Sequence, residues 1–151
     1  MKTIVALVDL SDLSFKVLKQ AHTLATAFHS EVIILHVLGK VPVVVDVGLI
    51  SPVVMEEPTP TVAQEQSEQL LAMRDSLIKF GVQARVEQLV DARVQEVLAE
   101  TKRLKADLII LGSHHHSTIY HMLVGSVASD VLKHAHCPVL VVPSDEAAAE
   151  K

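Results

Sequence analysis

The chain contains no tryptophan, one tyrosine and three phenylalanines among 151 residues. A core of aromatic plates is therefore excluded, and the interior has to be built from Val, Leu, Ile and Ala. Half of the residues are apolar. Branched aliphatic cores of this kind suit parallel strands covered by helices on both faces. Cysteine occurs once, at Cys137, which excludes an internal disulfide and fits a reducing compartment. Basic residues are outnumbered, 13 against 18 acidic, for a formal net charge of −5. With no basic run and no aromatic residues interleaved with basic ones, a nucleic-acid partner is not expected. No apolar run approaches the roughly 18–20 residues that span a bilayer, and the N-terminus lacks a signal-peptide layout. The expectation is a cytoplasmic domain with no membrane partner, and a chain of this length suffices for one full core.

What is present is an alternation of apolar runs and amphipathic stretches. Thr3–Val8 (TIVALV) and Glu31–Leu38 (EVIILHVL) read as buried strands, as do residues 107–112 (DLIILG) and 138–142 (PVLVV). Residues 82–90 (VQARVEQLV) alternate, as a strand nearer a sheet edge does. Helical spacing joins Val17, Leu18, Ala21, Leu24, Ala25 and Phe28, with Ser11 or Asp12 as cap. It also joins Leu70, Met73, Leu77 and Phe80, closed by Gly81. A third helix follows from Val94, Val97, Leu98, Thr101 and Leu104, and a fourth from Val127, Ala128, Val131 and Leu132.

Five strands alternating with four helices predict a single α/β domain over residues 1–143. Its sheet is doubly wound, five-stranded and parallel, in the order 3-2-1-4-5, and residues 144–151 are expected to form a flexible, solvated tail. Residues 39–61 hold four of the six prolines and two of the five glycines, which breaks regular structure there. Within them VPVVVDVGLISPVVM (41–55) is apolar for a loop, and two readings stand: a flap packed on the sheet end, or a lid or partner surface.

In a sheet of this order, ligands bind beyond the carboxyl ends of the first and fourth strands, where the winding reverses. Those ends are Asp9 and Gly112. The stretch LGSHHHSTIYHMLVGSV (111–127) leaves the fourth strand, crosses three histidines and closes on Gly125-Ser126 ahead of a helix. A helix N-terminus carries unpaired N–H donors and the positive end of the dipole, which attract an anion. Neighbouring histidines in extended chain point to alternate sides, so only His114 and His116 share a face. The run is read as solvated loop histidines or as contacts to phosphate or ribose, not as a metal site. Ser11 and Ser14 have no general base placed to activate them, and Cys137 has no cationic neighbour in sequence. A catalytic site is not expected, slow hydrolysis of a bound ligand being the residual chemical alternative.

VDLSDLS after the first strand, LHV in the second, GSHHHSTIYHMLVGSVA after the fourth and the closing CPVLVVP together resemble the universal stress protein family. The nucleotide-binding members of that family carry Gly-x-x-Gly, nine residues, then Gly with Ser or Thr. Counted from Gly112, the spacing is kept to Gly125 and Ser126, with His115 in place of the middle glycine. The resemblance implies that Asp9 and Val37 flank adenine and ribose and that Gly112 opens the loop. It implies that Gly125, Ser126 and Val127 present N–H groups and a hydroxyl to the phosphates; His114 and His115 are the loop histidines read as contacts to phosphate or ribose. The implied ligand is ATP, or else AMP or ADP, with Mg2+ accompanying the phosphates. A second departure is Asp91-Ala92-Arg93 where the family often has a Gly-x-Pro turn; Asp91 is expected to cap the third helix. The resemblance further implies a homodimer through Val139, Leu140, Val141 and Val142, an edge strand whose apolar character is otherwise a pairing hazard, and an unidentified protein partner. The alternative is a nucleotide-free dimeric interaction module of the same family.

Overall fold

In the computed structural model, which describes residues 1–113 and 124–144, the chain runs β1 (Thr3–Val8), α1 (Asp12–Phe28), β2 (Glu31–Leu38), β3 (Val41–Val44), β4 (Val53–Glu56) and α2 (Pro60–Lys79). It continues through β5 (Ala84–Val90), α3 (Val94–Arg103), β6 (Leu108–Ser113), α4 (Val124–His134) and β7 (Val139–Pro143). The main sheet has the order β5-β2-β1-β6-β7, and every neighbouring pair in it is parallel. Numbered by its own five strands this is 3-2-1-4-5, as the alternation of apolar runs predicts.

The side-chain alternation of the strands builds the two halves of the core. Ile4, Ala6, Val8, Val32, Ile34 and Ile110 turn to one face, where α1 (through Leu13, Val17 and Ala21) and α2 (through Leu70, Met73 and Leu77) cover them. Val5, Ile33, Leu35, Ile109 and Leu111 turn to the other, against Val131 of α4 and the partly buried Val94, Val97 and Leu98 of α3. Most central-strand residues of both sets are buried, consistent with runs that are apolar rather than alternating.

Several sequence expectations need correction. Residues 39–61 are not without regular structure, because β3 and β4 pair antiparallel, with Val41 opposite Glu56 and Val44 opposite Val53. The hairpin is not a flap on the sheet end either: Val44, Val53, Val54 and Met55 are exposed, and Leu49 and Ile50 at its tip are fully or largely so. Phe28 and Phe80, assigned to the inner stripes of α1 and α2, are exposed at the ends of their helices. Of the residues expected to anchor α4, Val131 is fully buried while Val127 and Leu132 are exposed. Asp91 does not cap α3. Arg93 occupies that position, and its N–H donates to Glu96 Oε2 at 2.6 Å. Asp91 instead takes a positive φ of 49° and its N–H donates to Leu38 O at 2.8 Å, joining the ends of β5 and β2. Residues 145–151, most of the expected tail, lie outside the described residues.

Candidate functional site

The carboxyl ends of β1, β2 and β6 open into a cleft of about 520 Å³. Its walls come from both sides of the sheet: Leu13, Ser14 and Val17 of α1, Gln66 of α2, Val94 and Val97 of α3, and Val127 and Ala128 of α4. Of the residues picked out in the sequence, Asp9, Val37, Gly112 and Val127 line this one cleft. Gly125 and Ser126 fall in the opening turn of α4, which begins at Val124. His114 and His115 lie outside the described residues.

Asp9 is the first residue past β1, and its carboxylate is held in place by the turn that starts α1. Oδ1 accepts from the Ser11 N–H at 3.0 Å, from Ser11 Oγ at 2.6 Å and from Ser14 Oγ at 3.0 Å. The Asp9 N–H donates back to Ser14 Oγ at 3.2 Å. Ser14 is buried at 2 % exposure, so its hydroxyl works inside the protein as both donor and acceptor. Leu10 between them takes φ of 64°, turning the chain sharply from strand into helix. Ser11, one of the two caps expected from the sequence, and Ser14 thus both orient the acid.

Gly112 serves packing at this site. A Cβ built on it would lie 2.4 Å from Leu13 Cδ2 and 2.6 Å from Leu13 Cγ, distances no side chain tolerates. The absence of a side chain lets α1 settle against β6 beside the cleft.

Three polar residues of the cleft, His36, Gln66 and Lys40, escaped the sequence reading. His36, next to Val37, is buried at 5 % exposure; its Nδ1 lies 3.2 Å from Gln88 Nε2 on the neighbouring strand. Burial holds its pKa below the ordinary imidazole value, and the Asp9 carboxylate opposes part of that shift. A lone histidine inside the apolar run EVIILHVL was the available signal. Gln66 sits one turn ahead of Leu70 on the inner stripe of α2, and its Oε1 is buried without a hydrogen-bond partner. Its signal was a polar residue on an otherwise apolar stripe.

Lys40 is the one lysine or arginine among the described lining residues. Its Nζ lies 3.7 Å from Glu57 Oε1 and 3.9 Å from Asp91 Oδ2, so it stands at the junction of the hairpin, α2 and the β5–α3 turn. Among the described residues no cluster of three or more His, Cys, Asp or Glu has the arrangement of a metal site. Cys137 lies away from the cleft; burial, with the Asp107 carboxylate second, pushes its thiol pKa up, opposite to what a nucleophile needs. No helix among the described residues is long and apolar enough to cross a membrane.

A positioned carboxylate, apolar lining residues and the first turn of a helix thus surround one cleft, and the N–H groups of a helix start suit an anionic group. Known proteins share this architecture. The universal stress protein MJ0531 of Methanocaldococcus jannaschii is 34% identical over 141 residues, covering 93% of this chain and 81% of that protein. YxiE of Bacillus subtilis, also a universal stress protein, is 33% identical over 140 residues, covering 89% of this chain and 94% of that one. Among solved structures, the universal stress protein from Archaeoglobus fulgidus in complex with dAMP superposes with a TM-score of 0.65 at 22% identity. The match covers 93% of this chain and 96% of that one. Residues 1–143 match the model of the universal stress protein family; with the sheet order, the Asp9 turn and the glycine-serine start of α4 already placed, the chain belongs to that family.

Proposed function

We propose that this protein is a small cytoplasmic regulatory protein of the stress response that binds an adenine nucleotide, ATP foremost, at the carboxyl end of its sheet. The observation that carries the reading is the convergence of the Asp9 carboxylate and the first turn of α4 on one cleft. The dAMP held by the Archaeoglobus relative supports an adenine ligand. Asp9, kept in place by Ser11 and Ser14, would accept from the ribose hydroxyls, and Val37 would flank the base. The backbone of Gly125, Ser126 and Val127 would meet the phosphates, where the N–H groups of a helix start favour negative charge. Mg2+ would enter with the triphosphate. The reading is one of binding rather than catalysis, because among the described residues the Asp9 carboxylate is engaged by the turn that starts α1 and acts to orient a ligand.

Occupancy would pass to partners through a homodimer built on β7. That strand closes one side of the sheet and pairs with β6 alone in the sheet order. Two-fold antiparallel pairing of such an edge is self-complementary.

A nucleotide-free interaction module is the second reading, favoured by His115 at the family's glycine position and by the exposed apolar hairpin. Thermal-shift titration with ATP separates the two. Wild type and His115→Gly should both be stabilised, and Gly125→Val should not, because its side chain blocks backbone approach to phosphate. No shift for any of the three proteins would favour the interaction module, and equal shifts for wild type and Gly125→Val would mean that the phosphates do not approach Gly125.

A further inference from the structure

α2 runs back across the sheet, so its N-terminal half lies at the carboxyl ends of the strands, the end that carries the cleft. Leu70, Met73 and Leu77 form its buried stripe. Gln66 continues that stripe by one turn, where the apolar core gives way to the cleft wall. Its Oε1 is buried and accepts no hydrogen bond. A buried amide oxygen with no partner is destabilising, and because the Gln66 side chain is part of the cleft wall, a turn of its terminal amide brings that oxygen to a donor on a ligand.

The position within the cleft indicates which part of a ligand that is. The start of α4 and Gly112 belong to the β6 side of the cleft, with Asp9 central and Val37, Gly39 and Lys40 on the β2 side. Strand spacing puts β6 and β2 ~10 Å apart. A nucleotide with phosphates at α4 and ribose at Asp9 therefore places its base at the β2 side, the side covered by α2. On adenine, the group that donates hydrogen bonds at the edge away from the ribose is the exocyclic amine.

Resting on the nucleotide reading above, we propose that Gln66 accepts a hydrogen bond from the exocyclic amine of the bound adenine. α2 thereby supplies the base selectivity of the cleft. A 6-oxo purine presents an acceptor at the same position and leaves the Gln66 oxygen unpaired.

The test compares ATP with inosine triphosphate by calorimetry, on wild type and on Gln66→Met, which keeps the length of the side chain and removes its polar end. Wild type should prefer ATP by on the order of tenfold, the discrimination expected when a buried polar group is left without its partner. Gln66→Met should bring the two ligands within about threefold of each other, through weaker ATP binding. Without ligand, Gln66→Met should melt at the same temperature as wild type or higher, since it removes an unpaired polar atom. ATP binding with no preference over inosine triphosphate, a preference that persists in Gln66→Met, or a lower ligand-free Tm would each overturn the role of Gln66 while leaving the nucleotide reading standing. Failure of wild type to bind ATP would overturn both.

Discussion

Gly112 and Leu13 meet so closely that a single methyl group on the glycine would fall 2.4 Å from Leu13 Cδ2. The contact couples β6 to α1 at the point where the cleft opens. Gly112→Ala should destabilise the protein by ~1–3 kcal/mol, the range for an extra methyl forced into a packed interior. Leu13→Ala should also destabilise, by ~2–5 kcal/mol through the cavity it leaves. The double variant should lose less than the sum of the two, because the smaller residue 13 makes room for the alanine. Urea denaturation of all four proteins measures this; strict additivity would mean that the two residues do not constrain each other.

His36 makes stability depend on pH. Its pKa in the folded protein is below the ordinary value, burial outweighing the pull of Asp9. The unfolded chain, with a histidine pKa near ~6.5, therefore takes up a proton at a higher pH than the native state does. The associated stability is complete above that unfolded value and is lost as pH falls through the folded one. Denaturant midpoints taken between about pH 7.5 and 5 should fall more steeply for wild type than for His36→Gln. Parallel curves would mean that His36 protonates as easily in the folded protein as in the unfolded chain.

Assembly through β7 has a specific signature. The Ile109 N–H donates to Pro138 O at 3.0 Å, and in a parallel ladder alternate residues turn their hydrogen-bonding groups to the same neighbour. Leu140 thus faces β6, and Val139 and Val141 present their N–H groups to the outer edge. Val141→Pro removes an outward donor while sparing the ladder to β6, as edge strands tolerate. Sedimentation velocity should show a wild-type dimer at tens of micromolar and a shift toward monomer in Val141→Pro. A monomeric wild type would rule out this edge as the interface.

How far the sequence disclosed the protein depended on whether a residue's role was local. Strands such as TIVALV and the Leu70–Met73–Leu77 stripe of α2 follow from period and burial, and with the handedness of crossovers they give the sheet order and hence the place of the cleft. The β3–β4 hairpin was hidden because Pro42, Pro52 and Gly48 signal broken structure, while its two strands pair only with each other and Val44, Val53 and Val54 remain exposed. Gly112 carried a motif position in the sequence, but its packing against Leu13 is a contact between residues 99 apart, which no local pattern encodes. His36 and Gln66 looked like interruptions of apolar stripes. Their meaning comes from the cleft those stripes run into, and that exists only once α1, α2 and β2 are assembled.

Calorimetric titration of the wild-type protein with ATP in the presence of magnesium, alongside ADP and AMP, tests nucleotide binding at the Asp9–α4 cleft most directly. The structure's positioned carboxylate and helix start lead us to expect one site per chain with a Kd from about one to tens of micromolar, roughly −6 to −8 kcal/mol. No heat for any of the three nucleotides at millimolar concentration would contradict it.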